Sequence, residues 1–294
     1  MYGERTLLER LKVFSLFAFI PLFAFTAVVL IPFLLGVVMT FTDWDGISTS
    51  ITFKGLENYR IAFSDSHFVD SLLLTFKYVL YTLVLTNVIA FGLALLVTSG
   101  IRGQNFFRMG FFTPNLIGGI ILGFIWQFIF SRVIVYLGEA LNWQIFSSSW
   151  LADPDKAFWT LVIVGVWQSS GYMMLIYIAG LMGIPKSLLE AAKIDGASKW
   201  QQLIRIKIPL MITAFTISVF LTLQRSFVVY EVNLSLTNGG PFRSTELLAM
   251  HVYNEAFLYQ NFGPGQAKAF ILFLVVAAIA LIQVRAMKKL EVEA

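Results

Sequence analysis

Two short polar runs stand inside long apolar stretches. Gly165, Gln168, Ser169 and Tyr172 recur at i, i+3, i+4 and i+7, which puts them on one face of a helix. Thr222, Arg225, Ser226 and Val229 repeat that spacing further on. Together they offer an aromatic ring, neutral donors and acceptors and one guanidinium, with no carboxylate. That set does not suit proton transfer or nucleophilic attack. His67 and His251 are the only histidines, both expected on loops, and neither belongs to a His-Glu-x-x-His pattern. The set suits recognition. A guanidinium donates several hydrogen bonds from a planar fork, which fits a polyol. Trp126, Trp167, Phe227 and Tyr230 would add apolar faces, and a sugar has apolar faces and a hydroxyl rim. The candidate substrate-binding residues are therefore Gln168, Ser169, Tyr172, Thr222, Arg225 and Ser226. The competing reading is that such residues glue helices together, with Arg225 snorkelling or pairing with an acid. Lys77 and Lys268, near span ends, are expected to snorkel.

The elements that carry these stripes follow from composition. Of 294 residues, 58% are apolar and 13% charged, against about 25% charged in soluble domains. The chain has no cysteine, which excludes disulfides and cysteine metal sites. A hydrocarbon core about 30 Å thick needs about 20 apolar residues in a helix. Six runs qualify, at about 13–40, 72–98, 107–130, 158–184, 209–232 and 266–286. The expectation is an all-α membrane protein with a single domain over residues 1–294. The first run is too long for a signal-peptide core and reads as a retained span.

Orientation follows from Lys and Arg. Placing both ends and the 185–208 segment on one side puts thirteen of the 21 there, Arg5, Arg10 and Lys12 among them. The other side receives five, and Lys77, Arg225 and Lys268 fall inside spans. Both termini and the 185–208 segment are thus expected to be cytoplasmic. The net charge of +4 is accounted for by this sorting and calls for no nucleic acid. Trp44, Tyr59, Trp143 and Trp150 fall where interfacial aromatics concentrate.

The 185–208 segment is a polar island. Pro185 is expected to stop the preceding helix. Ser187 and Glu190 have capping-box spacing, as do Ser198 and Gln201. Asp195-Gly196 has turn chemistry. Two short helices at about 188–194 and 199–207, joined at a glycine, are predicted.

Glu190-Ala191-Ala192, with Gly196 six residues after the Glu and Ile206-Lys207-Ile208-Pro209 closing the segment, resembles the "EAA" loop of ABC-importer permeases. Ile208 stands where the family usually has Leu. Phe41-Thr42-Asp43-Trp44-Asp45, Phe111-Phe112-Thr113-Pro114 and Leu236-Thr237-Asn238-Gly239-Gly240-Pro241 are similar to the carbohydrate branch of that family. The resemblance runs from about residue 40 to the last span. It implies a type I importer permease in the plasma (inner) membrane of a prokaryote. It also implies a second permease, two ATPase subunits that bind ATP-Mg, and an external solute-binding protein. Glu190, Ala191, Ala192, Asp195, Gly196 and Ala197 would couple to the ATPase, and an oligosaccharide would be carried. Anchored on Tyr172-Met173-Met174, the two stripes fall where the maltose-type member contacts its sugar; Arg225 and Val229 depart from that pattern.

The chain has no Gly-x-x-x-x-Gly-Lys-Ser/Thr of its own, so no nucleotide cofactor is expected in it. The alternative is an ion-coupled secondary transporter of a small polar solute. That class favours inverted repeats and carboxylates at mid-span, and neither is legible here. An intramembrane enzyme lacks its histidine at depth.

Overall fold

The computed structural model describes residues 7–48 and 51–290; Arg5 and the side chain of Arg10 lie outside the described residues. All regular structure among the described residues is helical, beside one isolated bridge between Thr42 and Phe53. In chain order the helices are α1 (Leu11–Met39), α2 (Glu57–Ser64), α3 (Ser66–Val97), α4 (Gln104–Phe112), α5 (Gly119–Ala140) and α6 (Pro154–Met182). Then come α7 (Lys186–Ile194), α8 (Lys199–Leu210), α9 (Ile212–Phe227), α10 (Glu231–Leu236), α11 (Leu248–Tyr253) and α12 (Phe262–Lys288). Five of these, α1, α3, α5, α6 and α12, are long and apolar enough to cross a bilayer; α8 with α9, bent by 69°, make a sixth if counted as one span.

Two spans differ from the expected boundaries. The run 107–130 is not one helix. Pro114 lacks an N–H, the backbone turns through a short 3-10 segment at Thr113–Leu116, and Ile117 is extended. The apolar helix begins only at Gly119 and runs to Ala140. The run 209–232 is shortened to the 16 residues of α9. A wide π turn at Leu203–Lys207 precedes Pro209, and the chain bends before Ile212. The wider turn accommodates a proline that cannot donate into the ladder. The same device recurs in α1, where π turns at Ser15–Phe19 and Thr26–Leu30 precede Pro21 and Pro32.

The chain divides into two compact units. The first comprises the residues up to Asp65 with Val252–Ile271. The apolar window of α1 buries no residue within the chain. Its C-terminal end is fixed by Asn58, whose Nδ2 donates to the carbonyls of Thr40 and Thr42 at 2.8 and 2.7 Å. Lys268 does not snorkel. It is 1% exposed, and its Nζ lies 2.7 Å from both Asp65 and Glu255. Taking a charge out of water costs several kcal/mol, so such an ion persists only when paired. Asp65 precedes it by some two hundred residues, a distance over which sequence spacing says nothing.

The second unit, Ser66–His251 with the residues from Leu272 on, is built on α3, α6 and α9. The buried positions of α3 are Phe68, Ser71, Thr75, Tyr78, Val79, Thr82, Thr86, Ala90, Ala94 and Val97. Apart from the adjacent pair Tyr78 and Val79 they advance by three or four and form one stripe, mostly of small residues that let backbones approach. Asn87 ties the three helices together. Its Oδ1 accepts from the Tyr177 hydroxyl at 2.6 Å and from Ser218 Oγ at 2.7 Å; its Nδ2 donates to the Leu83 carbonyl at 2.8 Å. Gly171 brings α6 against α4, for a Cβ there would lie 1.8 Å from the carbonyl oxygen of Phe111. His251 is buried on α11, not on a loop, and its Nδ1 lies 3.3 Å from Glu246. Lys77 is exposed, with Nζ 4.5 Å over the Phe158 ring.

Candidate functional site

The break before α5 gives the second unit a polar cavity. Its volume is about 300 Å³, and Gln168, Ser169, Arg225 and Ser226 line it with Gly165 and Val229. These come from both stripes, brought together where α6 and α9 face each other. The break supplies what the sequence reading missed. The extended backbone at Ile117 frees its carbonyl from helical bonding, and that oxygen accepts from Gln168 Nε2 at 3.2 Å. Two residues earlier, Asn115 lines the cavity, and its Oδ1 accepts from Arg225 Nη1 at 2.7 Å. Tyr78 and Thr82 of α3 complete the polar wall, Thr82 donating to Ser226 Oγ at 3.0 Å. An asparagine beside a proline inside an apolar run was the available signal for Asn115.

Two of the six candidates stand elsewhere. Tyr172 does not line the cavity; its ring centroid lies 4.5 Å from the Arg225 guanidinium and carries it. Thr222 is buried in the helix packing. It donates to the Ser218 carbonyl at 2.8 Å and accepts from Asn87 Nδ2 at 3.4 Å. The four expected aromatic faces are not on the cavity wall either. Trp126 packs edge-on against Trp167, and Phe227 is buried edge-on against Phe76. Trp167 instead lines a larger apolar cavity of about 530 Å³ on the adjacent face of α6. Arg225 meets no acid among the described residues. It sits in the last turn of α9, two residues from Phe227. Cations are favoured there by the partial negative charge of the helix end.

The 185–208 segment folds as two helices joined at a glycine. Gly196 has φ +77°, Ala197 N–H donates to the Ala192 carbonyl at 2.9 Å and Gly196 N–H to Lys193 at 3.2 Å. This is a Schellman closure, whose left-handed residue is normally glycine. No neighbour crowds Gly196; what requires glycine is the backbone conformation. Ser198 and Gln201 form the expected capping box. Ser187 and Glu190 do not, because Pro185 takes the N-cap position and α7 already begins at Lys186. Ala192 is buried and Ala197 half-buried, while Glu190, Ala191, Asp195 and Gly196 are exposed. Ile194 is 87% and Trp200 68% exposed. Both are large apolar side chains left open on a polar segment.

Residues 87–291 match the family of binding-protein-dependent transport system inner membrane components. The chain belongs to that family. It is similar to the probable starch degradation products transport system permease protein of Thermoanaerobacterium thermosulfurigenes, 46% identical over 90% of each chain. It is also similar to the multiple sugar-binding transport system permease protein of Streptococcus mutans, 29% identical over 94% of this chain and 95% of that one. The fold is that of a chain from a bacterial ABC transporter that imports the acidic polysaccharide alginate. The TM-score is 0.83 over 97% of this chain and 99% of that one, at 17% identity. The protein is thus an ABC-importer permease, a transport component and not an enzyme.

Proposed function

We propose that this chain forms half of the translocation path of an ATP-driven sugar importer and that its substrate is an oligosaccharide. The observation that carries the reading is the cavity between α6, α9 and the break. It presents hydroxyls, amides and one guanidinium at hydrogen-bonding spacing. The starch-product and multiple-sugar names of its relatives point to the same ligand class. With α9 as the sixth span and α8 lying outside the bilayer before the 69° bend, both ends and the 185–208 segment would be cytoplasmic, in the inner membrane of a prokaryote. A second permease would complete the path. Two ATPase subunits would hold ATP-Mg and receive α7 and α8 through Glu190, Ala191, Ala192, Asp195, Gly196 and Ala197. A solute-binding protein would deliver the sugar. Gln168, Ser169, Arg225 and Ser226 would touch it, Tyr172 would hold Arg225, and Thr222 would hold α9 against α3. No carboxylate lines the cavity among the described residues, which speaks against the alternative of an ion-coupled transporter.

The test is uptake into proteoliposomes of the assembled complex. Labelled maltotriose should enter only with internal ATP and the binding protein, and labelled amino acids should not enter. Uptake of maltotriose driven by an ion gradient without ATP would overturn the reading. Single cysteines introduced into the cysteine-free chain test orientation. Ser148→Cys should react with an impermeant maleimide from outside, and Lys193→Cys only after permeabilisation.

A further inference from the structure

Arg225 is the one charged side chain on the cavity wall among the described residues. Its surroundings offset that charge only in part. Asn115, which takes its hydrogen bond at 2.7 Å, is a neutral acceptor. Tyr172 offers the face of a ring. The end of α9 contributes about half a negative charge. No ion pair reaches Arg225 among the described residues. A guanidinium keeps its charge in any working buffer, so the cavity holds a fixed positive potential.

We propose that Arg225 makes the cavity a charge filter: it admits neutral and acidic sugar residues and rejects sugar residues that carry an ammonium group. This rests on the sugar reading above. The asymmetry follows from elementary electrostatics. Near a protein surface a like charge a few ångströms away opposes entry far more strongly than in bulk water. A carboxylate can displace the Asn115 amide and take the fork of the guanidinium, where charge-assisted bonds are about twice as strong as neutral ones. A neutral hydroxyl replaces the amide one for one. Asn115 is then a positioning residue, the group that holds the fork in place while the cavity is empty.

The test compares three trisaccharides of one length, ending in glucose, glucuronic acid or glucosamine. They compete with labelled maltotriose for uptake by the reconstituted complex. In the wild type the glucosamine-ended sugar should compete at least about tenfold less well than the neutral one. Asn115→Asp places a carboxylate on the same fork and cancels the charge without removing the guanidinium. Arg225→Gln removes it. In both variants the gap between the glucosamine-ended and neutral sugars should shrink at least about fivefold. A merely structural role for either residue would lower all three sugars together and leave their ratios alone. One binding protein serves every variant, so a change in ratio arises in the permease. Equal ratios in wild type and both variants would overturn the filter. No ATP-dependent uptake of labelled maltotriose itself would sink the sugar reading, and the filter with it.

Discussion

The guanidinium of Arg225 lies 4.5 Å from the centroid of the Tyr172 ring, and its Nη1 is held at 2.7 Å by Asn115. Tyr172 on the facing helix α6 and Asn115 in the 3-10 break thus fix this one side chain at the cavity. A cation over an aromatic face is worth about 0.5–2 kcal/mol, more as water is excluded. Tyr172→Ala should raise the apparent KM for sugar uptake by roughly twofold to thirtyfold while basal ATP hydrolysis persists. Tyr172→Phe keeps the ring face and should stay within about twofold of wild type. Equal losses in both variants would mean that the hydroxyl, and not the ring, is what matters.

The stripes on α6 and α9 were legible because helical spacing alone aligns them. Gln168, Ser169, Arg225 and Ser226 do reach one cavity. Periodicity could not separate a cavity-facing polar residue from one that faces a neighbouring helix. Thr222 therefore read like Ser226, although Thr222 points at α3 and Asn87. Hydropathy carried a single span straight through Pro114, since a break does not lower the average. The break is what brings Asn115 to the cavity and frees the Ile117 carbonyl for Gln168. Lys268 read as a snorkelling residue because its partners, Asp65 and Glu255, are set by tertiary packing. The Gly196 turn and the Ser198–Gln201 box are local, and both were legible from neighbouring residues alone.

Asn87, a polar residue in an apolar run, bridges the three central helices through Tyr177, Ser218 and Thr222. Asn87→Leu would leave the Tyr177 and Ser218 hydroxyls without their acceptor. Each orphaned buried group costs about 1–3 kcal/mol. The thermal unfolding midpoint in detergent should fall by several degrees. A triple change that also makes Tyr177→Phe and Ser218→Ala should recover much of the loss, because no unpaired group then remains. No recovery would show that the cost lies in packing.

Gly196 closes α7 with φ +77° and no atom within reach of an added Cβ. An alanine there fits the space but strains the backbone by about 1 kcal/mol. An aspartate adds charge and bulk two residues from the exposed Ile194. Gly196→Ala should keep most uptake. Gly196→Asp should abolish it with the complex inserted and ATP hydrolysis no longer stimulated by sugar. Normal uptake by Gly196→Asp would remove the 185–208 segment from coupling.

Glu246 sits between Arg243 and His251 and is almost fully buried. Burial alone would raise its pKa. Hydrogen bonds from His251 and Arg243, with the charge of the Arg243 guanidinium, outweigh that and hold the carboxyl at about 2, against an ordinary 4.5. Arg243 has φ +61°, a left-handed conformation uncommon for a side-chain-bearing residue, and its ion pair helps to keep it there. The sign of the pH effect follows from proton counting. Between about 4.5 and 2 the unfolded chain binds a proton that the folded chain does not. The stabilisation is therefore complete above pH 4.5 and drains away as the pH falls toward 2. The unfolding midpoint of the wild type in detergent should hold steady from pH 7 to 5 and then drop as the medium is acidified. Glu246→Gln should start lower at pH 7, since it gives up the ion pair, and should lose less on acidification. Parallel acid limbs in the two proteins would show that other carboxylates govern the drop.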